Sequence, residues 1–503
     1  MFKWKKSNTQ KKQEKSQKKL SDILEAANRS ADFKSFSPVE NGRITVNCYT
    51  TLIDDKLLRR VLLPSIQGNA SAITDISEIK NFIPLEGIQL TENADEAEKK
   101  LNEGHAIVQL NHASKFALVN ISSPMKGLRQ NNETDNEFSV VGPKIGFIES
   151  IDTNLHLLRR QLATTDLIVE EHELGRISKT RVAIVYLNGI TNPEFVQTAR
   201  ERIKNADFDV IHDSTIVEQL ISDNTSTPFP PFLATERVDK AGHSLMLGQI
   251  AILSDGSCYA ITAPVSILDF FNSPEDYYSA WMQGSFFRLI RFFGVSFSVF
   301  ATPVYVAVLT FHYEIIPEDL LGPIIFSRAN VPFPPFLEVL FLEITIELLR
   351  EAGARLPSKI GQTLGIVGGI VIGQATVEAA LTSNILLIIV ALAALSSFTT
   401  PIYQMSNTVR LLRFPFIFIA AIWGGYGLAV GIVLLLGHLF RLKSLGMPYM
   451  VPLFPFRAAG MGDAILRLPY SKTNKRPSYL RSLKKKRYST SEENDEDKDI
   501  NTE

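Results

Sequence analysis

Hydrophobic and polar positions follow two rhythms along this chain. Up to about residue 280, short apolar runs alternate with polar segments of helical period; from 292 to 440 the apolar runs lengthen, and charge returns in the last 30 residues. In the first part, GHAIVQL (104–110) and KFALVNI (115–121) flank NHAS and predict a β-hairpin. GQIAIL (248–253) and SCYAIT (257–262) flank Asp255-Gly256, a pair whose backbone suits the twist of a tight hairpin. TRVAIVYL (180–187) predicts a buried strand, and 193–205 a helix opened by proline. Asp213-Ser214 would cap the next helix. Each hairpin closes a mixed stretch, so the pattern predicts two small subdomains divided near Gly142.

The second rhythm belongs to lipid. Four stretches, 292–311, 362–380, 385–404 and 415–436, have the length a bilayer requires, about 17–25 residues per helix. Arg288, Arg291, Arg410 and Arg413 mark their ends. The expected fold is an α+β soluble N-terminal region of two small mixed α/β subdomains, followed by an all-α multi-pass membrane domain. The expected divisions are a basic arm (1–40), a first subdomain (41–141), a second (142–270), a membrane domain (271–456) with four or five spanning helices, and a charged cytoplasmic tail (457–503). Eight lysines in the first 19 residues and the string KTNKRPSYLRSLKKKR (472–487) place both ends inside, which requires an even number of crossings. Four crossings satisfy this but put Arg410 and Arg413 outside; five keep them inside and export the tail.

Two membrane-proximal helices carry unusual chemistry. PFPPFL occurs at 228–233 and again at 332–337, with different flanks, so it is one rigid device used twice and not a domain repeat. After the second copy, Pro334 and Pro335 start a helix bearing Glu338, Glu343, Glu347 and Glu351, the last three on one face. A charge at the bilayer centre costs about 2.5–3.5 kcal/mol on insertion scales, so this helix must lie in the interface, pack inside protein, or line water. Next comes GQTLGIVGGIVIGQATVEAAL (361–381). Gly361, Gly365, Gly369 and Gly373 recur every four residues, a spacing that lets helix backbones approach closely in lipid. Elsewhere round the same helix, Thr363, Val367, Val371, Gln374 and Glu378 form a second, partly polar stripe that suits the wall of a channel. A tightly packed structural helix whose Glu378 only reaches the membrane surface fits the same pattern.

Composition adds limits. A net charge of −1 hides the partition described above, and two cysteines, Cys48 and Cys258, cannot build a disulfide framework, as suits a reducing compartment. The lysine-rich start is a solvated arm able to touch anionic lipid, and no nucleic-acid-binding module follows it. There is no phosphate-binding glycine loop, HExxH or nucleophile elbow. His105, His112, His156, His172, His212 and His243 lack metal-ligand spacing. Asp54, Asp55 and Asp152 sit beside LLRR strings and look like helix-face partners. No catalytic residue, metal or cofactor is expected, and the chain is not expected to be an enzyme.

PFPPFLEVLFLEITIELLREAGARLPSKIGQTLGIVGGIVIGQATVEAAL strongly resembles the A subunits of the GerA-type spore germinant receptors. VGPKIGFIESIDTNLHLLRR (141–160), HDSTIVEQLISDN (212–224), TPFPPFLATERVDK (227–240), SPEDYY (273–278) and LRFPF (412–416) agree with it, so the likeness runs from about 142 to 452. Gln249 and Leu445 depart from it, where the family commonly has an arginine and an aromatic. The resemblance implies a multi-pass protein of the spore inner membrane, with its soluble region on the cytoplasmic (core) side. Its implied partners are a permease-like B subunit, a lipoprotein C subunit and further copies of itself. It implies nutrient sensing that starts germination, with the A subunit forming an oligomeric ion channel. A related accessory sporulation channel would share nearly all these motifs. A secondary transporter fits less well, because no inverted repeat of broken helices is visible.

Overall fold

The computed structural model describes residues 19–39, 42–111, 113–123, 137, 141–356 and 358–487. Of the basic arm expected at 1–40, residues 1–18 lie outside them, as do His112 and the last 16 residues, whereas Leu20–Ala27 and Phe33–Phe36 fold into the first unit. In the first unit, helix α1 (Leu20–Ala27) precedes strands β1 (Phe33–Phe36), β2 (Ile44–Tyr49) and β3 (Gln89–Thr91), then helix α2 (Ala94–Asn102) and strands β4 (His105–Leu110) and β5 (Phe116–Asn120). The strands form an antiparallel sheet in the order β1-β2-β4-β5-β3. Strand side chains alternate between faces, and here both faces are covered. Ile44, Val46, Ala106 and Val108 meet Leu62, Ile66 and Ile79 of the 55–83 segment, while Ile107 and Leu118 meet Ala27, Ala97 and Leu101 of α1 and α2. Burial on both sides explains why the predicted strands read as continuous apolar runs.

The second unit repeats this plan with different helices. Helix α3 (Ile151–Gln161) is followed by β6 (Leu167–Leu174), β7 (Thr180–Leu187), α4 (Pro193–Asn205), α5 (Ser214–Ile221), β8 (Leu233–Thr235), α6 (Val238–Leu247), β9 (Ile250–Ser254) and β10 (Ala260–Ala263). The sheet order is β6-β7-β9-β10-β8, again antiparallel. Asn192 caps α4 and Asp213 caps α5, each accepting from a backbone N–H two residues on. Val182, Ile184 and Ile252 face α4 and α5; Ala183, Val185 and Leu253 face α3 and α6.

The segment expected to be a charged tail is partly core. Its Tyr479 and Leu480 join Leu445, Met447 and Val451, from the end of the expected membrane domain, in filling the α4–α5 face of the second sheet. The Leu483 N–H donates to Ile190 O at 2.9 Å, and Ser482 Oγ donates to Leu247 O at 2.9 Å. Lysines 484–486 stay at the surface while the intervening apolar pair turns inward. The chain after Arg441 therefore returns to the second α/β unit.

Between those points lies a helical bundle of α7 (Trp281–Phe311), α8 (Glu318–Arg328), α9 (Pro335–Arg355), α10 (Ser358–Glu378), α11 (Asn384–Ser397) and α12 (Tyr403–Arg441). α7 leaves the second unit where Asp276 accepts from Arg288 (3.0 Å) and Arg291 (2.6 Å). α9 runs back towards that unit, α10 away and α11 back: Tyr305 meets Ser383 at one level and Gly294 meets Thr399 at the other. α12 departs from a single straight rod. At Gly424 the backbone takes φ 58° and ψ −139°, a region essentially closed to residues with a Cβ. The chain reverses there, so the side chain of Phe416 packs against Gly431, and Thr408 and His438 both reach the loop at 227–228.

The stretch 415–436, expected to cross a membrane once, is thus a hairpin, and its glycine-rich WGGYG string supplies the bend. The stretch 385–404 is likewise cut, because α11 ends at Ser397 ahead of Thr400-Pro401. Among the described residues, the chain runs through the bundle six times by direction, the two arms of α12 counted separately. By length and composition, two helices among the described residues are apolar enough to cross a membrane, Trp281–Phe311 and Tyr403–Arg441.

Candidate functional site

Three groups of residues give the bundle and its junction a chemistry. The first is the acidic helix. Its carboxylates do not share one stripe of exposure. Glu338 and Glu343 are both 0% exposed. Glu338 accepts from Arg328 at 2.7 Å, and its other oxygen faces the N–H of Ser383. Glu343 pairs with Arg413, which also donates to the Ser298 carbonyl at 2.9 Å, the Ser298 hydroxyl at 2.7 Å and the Ala393 carbonyl at 3.2 Å. Glu347 pairs with Arg350 and Glu351 with Arg355 along the helix itself. Packing inside protein, one of the three expected environments, is therefore what Glu343 adopts; Glu347 and Glu351 lie nearer the surface. Arg413, expected to mark a helix end, is an interior cation joining α7, α9, α11 and α12.

The second group is the glycine helix. The side chains of Thr363 and Val367, and the surroundings of Gly361 and Gly365, lie outside the described residues. Within α10, Gly368 faces Leu349 of α9 and Gly373 faces Leu387 of α11, while a Cβ at Gly369 would meet nothing within 4 Å. Val371 is 58% exposed. Gln374 and Glu378 are exposed too, and the Gln374 amide donates to the Glu378 carboxylate at 2.8 Å. α10 is thus packed against the chain at Gly368 and Gly373 and open at Gly369, Val371, Gln374 and Glu378.

The third group was not anticipated from sequence. The first PFPPFL sits in the mouth of the α12 hairpin. Thr408 donates to the Pro228 carbonyl, Tyr449 donates to the Pro230 carbonyl at 2.9 Å, and Thr227 Oγ1 lies 3.0 Å from His438 Nε2. Phe229 and Leu233 pack with Ile402, Met405 and Leu439 from the two ends of the hairpin. Its rigidity therefore fixes the soluble unit to both arms at once. The second copy starts α9 as expected, with Pro335 in the first turn and Phe336 packed 5.3 Å from Phe418. Neither the rarity of the string nor its flanks could indicate such partners.

Beside this mouth, Glu218 of α5 receives an amide N–H from Gln404 of α12 at 3.3 Å. Burial drives its carboxyl up to about 7, and the Gln404 contact only partly opposes that. The proton is held more tightly in the folded chain than in an unfolded one, whose carboxyl keeps the ordinary value of 4.5. The stabilisation is complete below the unfolded value and is lost as pH rises from about 4.5 to about 7, on the order of 3 kcal/mol in all. Glu218→Gln should flatten that slope and melt above the wild type at pH 8. Thermal unfolding of the purified chain at pH 5 and pH 8 checks this; an unchanged difference between the two would refute it.

Residues singled out elsewhere are scattered. Asp54 caps a helix and Asp55 pairs with Arg59. Asp152 reaches across to Arg181 at 3.0 Å instead of serving its own helix. His156 Nδ1 lies 3.0 Å from Thr51 O, and His243 stacks on Tyr277 with burial pulling its imidazole down to about 4. Gln249 donates to Pro264 O at 2.7 Å, and Leu445 is core.

Two α/β units are joined to a helical bundle stapled by interior ion pairs, two of whose helices are long and apolar enough to cross a membrane. Residues 17–479 match the family described as Bacillus/Clostridium GerA spore germination protein, and the chain belongs to that family. It is similar to spore germination protein GerQA of Bacillus cereus, with 44% identity over 94% of this chain and 95% of that one. It is also similar to spore germination protein GerIA of Bacillus cereus, with 46% identity over 90% of this chain and 67% of the other. Among solved structures, the crystal structure of the N-terminal domain of the A subunit of the Bacillus megaterium spore germinant receptor GerK3 shares 29% identity, covering 49% of this chain and 92% of that chain, with a TM-score of 0.36.

Proposed function

We propose that this chain is the A subunit of a nutrient germinant receptor, crossing the spore inner membrane with its bundle and keeping its α/β units on the core side. In this reading it assembles with further copies of itself, a permease-like B subunit and a lipoprotein C subunit. The assembly conducts ions when nutrient is sensed, and germination follows without any chemistry being catalysed by this chain. One observation carries the reading: α10 uses Gly368 and Gly373 against its own chain and leaves Gly369, Val371, Gln374 and Glu378 open. An exposed glycine offers a neighbouring helix a close approach, and the stripe on the far side of the helix combines an apolar residue with an amide and a carboxylate. Family membership and two apolar helices support the membrane setting.

The proposal assigns Val371 to an apolar constriction that closes by excluding water. Val371→Ala should lower the nutrient threshold by roughly tenfold, the effect of about 1.4 kcal/mol of bias towards the open state. Glu378→Gln should alter cation passage with assembly intact, since a carboxylate near a pore mouth concentrates cations. Gly369→Leu should prevent assembly. Ion release from spores carrying each variant at matched protein abundance is the measurement. Wild-type release and threshold for both Val371→Ala and Glu378→Gln would remove the pore assignment.

A further inference from the structure

A cavity of about 370 Å³ lies apart from the bundle, between the start of α4, the turn after α12 and the returning tail. Its floor is apolar: Phe195, Leu445, Met447, Val451 and Tyr479 line it, each less than a tenth exposed. Its rim is charged. Glu194 and Arg481 face each other at 3.6 Å, so this pair is internally balanced. Arg457 is not balanced. Its backbone N–H and C=O are engaged, by Pro452 and Gly460, but its guanidinium has no hydrogen bond or ion pair among the described residues. An apolar hollow with one unmatched cation at its edge has the chemistry of a site for an amphiphilic anion. The carboxylate of Glu194 on the same rim would repel a second negative group, which selects a single charge.

We propose that this cavity binds a small monocarboxylate with an apolar body, its carboxylate on Arg457 and its hydrocarbon on the Phe195–Tyr479 floor. The walls come from α4 in the second α/β unit, from Leu445–Val451 directly after the second arm of α12, and from the tail. A bound ligand therefore ties the soluble head to the chain leaving the bundle. The volume falls in the usual range for small-molecule sites, roughly 300–1,000 Å³, and holds a phenyl ring with a short acid arm.

The test uses the full chain in lipid nanodiscs, with 3-phenylpropionate and 3-phenylpropionamide as calorimetric probes. The acid should bind at least tenfold more tightly than the amide. Arg457→Gln should weaken the acid at least tenfold, leave the amide unchanged and keep the wild-type melting temperature. Thr198→Phe, which fills the cavity from its α4 wall, should abolish binding of both. Absence of acid binding at 10 mM probe, equal affinity for acid and amide, or an Arg457→Gln chain that binds like wild type would each overturn the assignment.

Discussion

Replacing Arg413 by methionine should prevent the bundle from accumulating, while replacing Arg413 and Glu343 together should restore much of it. Both side chains are at most 2% exposed, and Arg413 spends its donors on Glu343, Ser298 and Ala393. Removing one partner of a buried ion pair leaves an uncompensated charge and costs about 3–5 kcal/mol, whereas replacing both with apolar residues of similar volume is often neutral. That cost is comparable with the whole stability of many domains, about 5–15 kcal/mol. Glu343→Leu combined with Arg413→Met leaves only the Ser298 and Ala393 groups to be resatisfied. The yield of monodisperse protein after detergent extraction, for the two single variants and the pair, measures the effect. A single variant that accumulates like wild type would show that water reaches the pair.

Asp32→Ala should uncouple the two α/β units. Asp32 belongs to the first and Arg159 to α3 of the second, yet both are buried, at 1% and 2% side-chain exposure. Arg159 donates to both oxygens of Asp32 and to Ser30 Oγ at 2.7 Å, and its guanidinium lies 3.9 Å above the Tyr49 ring. The backbone adds to the joint, since Ala31 N–H donates to Val169 O at 2.9 Å. Burial pushes the Asp32 carboxyl up, but Arg159 and the hydroxyls of Ser30 and Thr51 more than offset that, leaving it below its ordinary 3.8. This stabilisation is present above pH 3.8 and is lost only as pH falls through the lower folded-state value. With Asp32 gone, Arg159 stays buried without its counter-ion, again at about 3–5 kcal/mol. Cleavage between the units by a low dose of protease should accelerate by at least tenfold. Equal cleavage rates in variant and wild type would mean that the remaining contacts, Ala31 N–H to Val169 O and His156 to Thr51 O among them, hold the units together without the ion pair.

Much of the α/β head was legible from local pattern. The 104–121 and 248–262 hairpins, the strand at 180–187 and the helix at 193–205 appear where their alternation, turns and caps placed them. These elements are set by neighbours in sequence: side-chain period, proline at a first turn, aspartate at a cap. The helical half was legible as apolar but not as a path. WGGYG reads equally well as a tolerated glycine patch within one long helix. Only the collision of any 424 side chain with Phe311, and the packing of one arm on the other, make it a reversal.

The site divided along the same line. The glycine and polar stripes of 361–378 follow from the geometry of a single helix, so sequence alone places them on separate faces. What covers them depends on α9 and α11, which lie against Gly368 and Gly373 and leave Gly369 open, so the glycine stripe itself is only partly covered. Charge partners were beyond reach for a related reason. Glu343 meets Arg413 across 70 residues and Asp32 meets Arg159 across 127. A buried charge is stable only beside its counter-ion, yet no local rule states which distant arginine that is. The sequence determined which segments are strands, helices and apolar spans, because those depend on short-range sterics and period. The tertiary structure decided where the chain turns back, which carboxylates are interior, and how the tail closes onto the head, because each depends on what another segment brings within a few ångströms.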